Sequence, residues 1–77
     1  RVLLALLRLL VMSHRPVSVE DIKRIVFWNR SQETLDNTVR TTIYQLRKRL
    51  GSALELPSHW DPIRWDLAGR GYLLILP

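Results

Sequence analysis

The sequence predicts a mainly helical domain with a C-terminal β-hairpin, and two patterns support this fold class. Apolar residues recur at helical spacing within residues 2–13, 18–28 and 34–50. Residues 63–67 instead alternate between apolar and polar side chains, and a glycine pair separates them from a second strand-like run that ends at residue 76. A spacing of three or four residues marks one face of a helix, whereas alternation marks a half-buried strand.

The length and composition fit one small globular domain spanning residues 1–77. The chain is 47% hydrophobic and 25% charged, and it contains no cysteine. A chain of this size forms a core that is only just sufficient for stability, and the lack of cysteine excludes a disulfide framework. Because a helical pattern starts at once after Arg1 without a capping residue, we expect a fragment of a longer protein.

The charge balance favours an anionic partner. Twelve Lys and Arg against seven Asp and Glu give a net charge of +5 and an isoelectric point near 10.8. Such a charge favours nucleic acid before a membrane, although many small basic proteins bind neither. Residues 37–54 carry four basic and no acidic side chains, namely Arg40, Arg47, Lys48 and Arg49.

The first predicted helix, at residues 2–13, is apolar around more than half of its circumference. It is too short to span a membrane. A helix so apolar must be covered on more than one face, so we expect this domain's core on one side and a missing segment or second chain on the other.

The second predicted helix, at residues 18–28, has clear end signals. Pro16 prevents the first helix from continuing, and Ser18 is the expected N-cap, with Asp21 three residues on in a capping-box-like arrangement. Trp28 is expected to close this helix and pack against the domain.

The third predicted helix, at residues 34–50, separates apolar from polar side chains. Its ends are assigned to Thr34 as N-cap and Gly51 as C-terminal glycine. The apolar seam consists of Val39, Ile43, Leu46 and Leu50. The other side carries side chains able to reach base edges, namely Asn37, Thr38, Thr41, Tyr44 and Gln45. The alternative is an ordinary solvated helix face.

The predicted hairpin places an arginine at its tip. Its four-residue loop runs from Ala68 to Gly71, and Arg70 between two glycines can enter a minor groove, or serve only solubility. Trp65 is expected to pack in the core or on the hairpin.

The predicted elements together are those of a winged helix-turn-helix. This fold consists of two helices, a turn, a third helix with a polar outer face, and a hairpin.

Enzymatic and metal-binding functions find no support in the sequence. His14 and His59 lie in separate predicted loops, without cysteine or an acidic cluster near them. No glycine-rich phosphate loop or nucleophile motif is present. We therefore expect no enzyme, no metal and no cofactor.

Three segments of the chain resemble the OmpR/PhoB-type winged helix-turn-helix effector domain of bacterial response regulators, and the related domain of antibiotic-pathway regulators. The first is Leu6 and Leu7 with Arg-Pro-Val-Ser-Val-Glu-Asp-Ile at residues 15–22. The second is Asn-Thr-Val at residues 37–39, Ile43, and Leu-Arg-Lys-Arg-Leu-Gly at residues 46–51. The third is Gly-Arg-Gly-Tyr at residues 69–72.

The resemblance implies sequence-specific binding of double-stranded DNA to control transcription in the bacterial cytoplasm, at the nucleoid. The third helix would enter the major groove, and the wing would contact the adjacent minor groove or backbone. The expected phosphate or wing contacts are Arg40, Arg47, Lys48, Arg49, Arg64 and Arg70. A loop that would contact RNA polymerase consists of Trp28, Asn29, Arg30, Ser31, Gln32 and Glu33.

The chain also departs from this family. The N-terminal four-stranded sheet is missing, which would uncover a dimer or partner surface consisting of Leu6, Leu9, Leu73 and Ile75. We therefore expect a homodimer, or a further domain that covers the first helix, and no membrane partner. Tyr44, Gln45 and Ala68 stand where the family often has arginine. These departures favour the alternative of a winged-helix protein-interaction module with weak or lost DNA binding. An RNA-binding winged helix is a third possibility, which a preference for RNA over DNA duplex would reveal.

Overall fold

A computed structural model describes residues 2–30 and 35–77, and only the backbone of Leu35. The described residues form three helices, α1 (Val2–Met12), α2 (Val19–Val26) and α3 (Leu35–Ala53), followed by strands β1 (Ile63–Asp66) and β2 (Gly71–Leu74). The predicted fold class, mainly helical with a C-terminal antiparallel hairpin, is confirmed. None of the helices described is both long enough and apolar enough to cross a membrane.

Helix α1 covers the core with one face only. Leu6 and Leu10 are buried, whereas Leu4 and Val11 are 49% and 59% exposed. The expectation that Leu6 belongs to an uncovered partner surface is wrong, because Leu6 has no exposed surface.

Helix α2 begins as predicted but ends two residues early. The backbone N–H of Asp21 donates to Ser18 Oγ at 3.1 Å, which satisfies one of the unpaired donors of the first turn. Phe27 caps the other end, and its side chain is buried. Trp28 is 75% exposed, so the expectation that it packs against the domain is wrong. Phe27 takes the core position, and the chain turns outward after it.

Helix α3 runs past the glycine that was predicted to end it. Gly51 is helical and no described glycine has a positive φ. The left-handed residue is Glu55, with φ of 51°. The N–H groups of Glu55 and Leu56 donate to the carbonyls of Ser52 and Gly51, which is the Schellman pattern four residues later than expected. Thr34, the predicted N-cap, lies outside the described residues.

The hairpin is shorter than predicted, and its turn comes one residue earlier. Ile63 pairs with Leu74 and Asp66 with Gly71, which leaves residues 67–70 as the turn. Leu67 is therefore a turn residue and is 82% exposed, because the Gly69 N–H donates to Asp66 Oδ2 at 2.7 Å and closes the turn there.

Strand β2 also pairs with the connection between α1 and α2. Val17 and Tyr72 exchange both backbone hydrogen bonds, at 2.9 and 2.8 Å. A Cβ at Gly71 would lie 2.7 Å from the carbonyl carbon and oxygen of Val17. The close approach of these two backbones therefore requires glycine, and it fixes the hairpin against the helices.

A single hydrophobic core joins the three helices to the hairpin. The predicted seam of α3 is confirmed, since Val39, Ile43 and Leu46 are buried and Leu50 packs against them. The other buried apolar residues are Leu6, Leu10, Val17, Ile22, Phe27 and Ile63.

Candidate nucleic-acid interface

The face of α3 opposite its buried seam gathers most of the predicted base-reading residues. Exposed side chains there are Asn37, Thr41, Tyr44, Gln45 and Lys48. The Lys48 ammonium lies 5.4 Å from the centroid of the Tyr44 ring, so the cation and the aromatic ring share one surface. These donors and acceptors can reach base edges, and Lys48 can reach a phosphate.

The three threonines of α3 differ in their surroundings. Thr42 is buried, and its hydroxyl donates to the Thr38 carbonyl at 2.7 Å. Thr38 is half-buried, and only Thr41 is exposed. Polar residue type alone overstates the reading surface, because a threonine can satisfy its hydroxyl on the preceding helical turn.

Arg47 is held within the chain. Its Nη2 donates to the Ile63 carbonyl at 2.7 Å, and its Nε lies 2.7 Å from Asp61 Oδ1. The Nε–H is not aligned for a hydrogen bond, so the second contact is an ion pair. Arg47 was predicted to contact phosphate; its guanidinium instead joins α3 to the start of the hairpin.

The other cations of α3 point in different directions. Arg40 is exposed and lines a cleft of about 430 Å³ between α2, α3 and the hairpin, together with Glu20, Asp36, Trp65 and Tyr72. Arg49 is on the opposite flank of α3, nine residues and about 180° from Arg40, where it lines a groove against α1. The structure therefore places Arg40 beside the cleft and Arg49 beside α1, with Lys48 on the polar face between them.

On the hairpin, one predicted arginine is tethered and the other is not. Arg64 Nε donates to the Asp61 carbonyl at 3.0 Å, and its guanidinium stacks 4.9 Å from the Trp60 ring. Arg70 is exposed at the end of the turn, with φ of 54°. Arg70 is thus the hairpin arginine whose guanidinium is not held by the contacts that tether Arg64.

Trp65 packs on the hairpin, which was one of the two environments predicted for it. Its ring meets Tyr72 edge to face, with centroids 5.0 Å apart, and these two residues are cross-strand partners. About half of Trp65 is exposed, so it also forms part of the cleft wall beside Arg40.

An ion pair that sequence reasoning missed fixes the start of α3. The ammonium of Lys23 lies 2.5 Å from Asp36 Oδ1 and 3.5 Å from Glu20 Oε2. Its hydrogen bond to Asp36 raises the pKa of Lys23 and lowers the pKa of Asp36. Asp36, in the first turn of α3, therefore binds a residue of α2, and only the crossing of these two helices brings the pair together.

The remaining predicted sites are only partly described. In the polymerase-contact loop, Trp28, Asn29 and Arg30 are exposed, while residues 31–33 lie outside the described part of the chain. Three residues of the predicted partner surface, Leu9, Leu73 and Ile75, are half-buried.

Among residues 2–30 and 35–77, no three histidine, aspartate or glutamate side chains lie together in a way that could hold a metal ion. No protein-family model, curated protein or solved structure matches the chain.

Proposed function

We propose that this chain is a winged helix-turn-helix domain that binds double-stranded DNA sequence-specifically and regulates transcription in the bacterial cytoplasm. The observation that carries the proposal is the polar face of α3, where five exposed polar residues lie opposite a buried seam. The hairpin, which supplies Arg70, is tied to the same scaffold through Val17. Helix α3 would enter the major groove, and the hairpin would contact the adjacent minor groove or backbone.

The dimensions and charge of α3 suit this role. Nineteen residues at about 1.5 Å each make a helix about 28 Å long, and a major groove about 12 Å wide admits one helix. After Asp36 the helix carries no acidic side chain. Its polar face can therefore approach phosphates without a carboxylate in the way.

Salt dependence measures how many cations contact phosphate. Arg47 and Arg64 are held by the chain and Arg49 lines the groove against α1, which leaves Arg40, Lys48 and Arg70 as the proposed contacts. Three neutralised phosphates predict a slope of about −3 in a plot of log affinity against log salt concentration. One such module buries only about 600–1,000 Å² on DNA, so useful affinity requires two copies side by side.

The decisive experiment starts with selection of bound sequences from random duplex DNA. On the selected site, Lys48→Ala and Arg70→Ala should each reduce the salt slope by about 1. Gln45→Ala should instead change the base preference, since a lost base contact is worth about 1–3 kcal/mol at one position. Arg15→Ala, an exposed arginine outside α3 and the hairpin, is the matched control and should change little.

The proposal fails if the wild-type domain binds no duplex in a salt-sensitive way. If the domain prefers an RNA duplex to a DNA duplex, we would assign the same residues to RNA binding.

A second candidate is a protein-interaction module with weak DNA binding, and RNA polymerase would be one partner. The exposed apolar residues of α1 and the absence of arginine at Tyr44 and Gln45 favour it. Under that function, Lys48→Ala and Arg70→Ala leave partner binding intact.

A further inference from the structure

A groove of about 300 Å³ separates α1 from the C-terminal half of α3. Its walls are Leu3, Leu4 and Leu7 on one side, and Arg49, Leu50 and Ala53 on the other. The floor of the groove faces away from Asn37, because Leu46 follows Asn37 by nine residues, or about 180° around the helix. Arg49 on the groove wall follows Gln45 by one turn, so the groove borders the polar face on that side.

Exposed apolar side chains lie near the groove on both helices. Leu4 is half-exposed and Val11, two turns later on the same face of α1, is 59% exposed. Leu54, one turn beyond Leu50, is also about half-exposed. Exposed apolar side chains on both walls of one groove are typical of a binding surface.

Two arginines lie at the groove. Arg49 lines it, and Arg8 follows Leu4 by one turn on the same face of α1; the first carboxylate after Arg49 is Glu55, beyond the end of α3. Both arginines are exposed, and neither has a hydrogen bond or ion pair with any residue that the structure describes. Residues 2–12 and 37–54 contain no Asp or Glu, so the two helices cannot neutralise this rim themselves.

We infer that the groove binds an amphipathic helix of a partner protein, with aliphatic residues on one face and Asp or Glu beside them. Helices bind such grooves through apolar residues at i, i+3, i+4 and i+7, and carboxylates would pair with Arg8 and Arg49. A second copy of this chain fits less well, because a two-fold interface presses the same positive surface against itself. The inference goes beyond DNA binding and does not depend on it.

The test uses two labelled synthetic helical peptides of about 14 residues. Both carry leucines at i, i+3, i+4 and i+7; one has flanking glutamates and the other has lysines in their place. Fluorescence anisotropy measures affinity, and amide chemical shifts locate the contact. The glutamate peptide should bind and shift residues of α1 and the C-terminal half of α3, whereas the lysine peptide should bind far more weakly.

Charge reversal of the groove sharpens the test. Arg49→Glu should weaken the glutamate peptide about tenfold, because an exposed attraction becomes a repulsion, and should strengthen the lysine peptide. Arg15→Glu makes the same charge change away from the groove and should alter either affinity less than twofold. Circular dichroism confirms that both variants fold.

Three outcomes would overturn the inference. In the first, neither peptide binds. In the second, both peptides bind with equal affinity, and Arg49→Glu does not make the lysine peptide bind more tightly than the glutamate peptide. In the third, sedimentation equilibrium shows a dimer of the chain that Leu4→Glu dissociates, which would make a second copy the occupant.

Discussion

Replacing Arg47 with methionine tests whether this residue holds the fold or binds a ligand. The structure gives its guanidinium two contacts at 2.7 Å, with the Ile63 carbonyl and the Asp61 carboxylate. Both contacts join α3 to the segment that starts the hairpin. Methionine keeps the apolar stem of the side chain and removes only the charged head group.

The expected loss follows from these two contacts. A hydrogen bond from a charged group contributes about 1.5–3 kcal/mol, and the pair with Asp61 adds less than about 1 kcal/mol because both side chains are partly exposed. About a third of the Arg47 side chain is exposed, so the lower part of that range applies. We expect Arg47→Met to lower the free energy of unfolding by about 2 kcal/mol, and the Tm by about 8–16 °C for a domain of this size.

Urea denaturation followed by circular dichroism and tryptophan fluorescence measures the loss. Lys48→Met is the matched control, since it makes the same substitution on the next residue of α3, where the side chain is exposed. It should change stability by less than about 0.5 kcal/mol. For DNA binding, the relative size of the two effects should be reversed. At a temperature where both variants are folded, Lys48→Met should weaken DNA binding more than Arg47→Met does.

Arg47 does not hold the fold if Arg47→Met is as stable as the wild type and loses DNA binding as Lys48→Met does. That result would return Arg47 to the phosphate contacts. A cycle with Asp61→Ala separates the ion pair from the hydrogen bond to Ile63, because only the ion pair is lost in both single variants.

Two further predictions concern the scaffold. Gly71→Ala should destabilise the domain by about 1–3 kcal/mol in urea denaturation, because its Cβ would collide with the Val17 backbone. Gly51 is helical and has open space around the position of a Cβ. The control Gly51→Ala should therefore be neutral or stabilise the domain by up to about 1 kcal/mol. The lowered pKa of Asp36 means that its pair with Lys23 stabilises the fold fully at neutral pH and loses that contribution as the pH falls below about 4. Urea denaturation at a series of pH values should therefore show an acid-induced loss that is smaller in Lys23→Met, and an equal loss in both proteins would contradict the pairing.

The order and type of the secondary structure elements were predictable because their signals are local. Ser18 caps a helix through an N–H three residues away, and the period of Val39, Ile43 and Leu46 marks a buried face without reference to the rest of the chain. The polar face of α3 follows from the same periodicity. Its residues were therefore found together, and the same period places Thr42, three residues after Val39 and four before Leu46, on the buried side.

Element ends and side-chain roles depended on contacts between distant parts of the chain. Arg47 and Lys48 are adjacent and similar in type, yet only Arg47 meets a carbonyl sixteen residues away. Trp28 was expected to pack against the domain, but its neighbour Phe27 occupies the buried position and leaves Trp28 exposed. Gly51 carries an end signal that α3 passes, because the left-handed residue falls at Glu55. The sequence by itself determined which segments are helices and strands, since nearby residues set periodicity and capping. Tertiary structure alone decided which cations remain available to a ligand, because that depends on where the hairpin and α2 pack against α3.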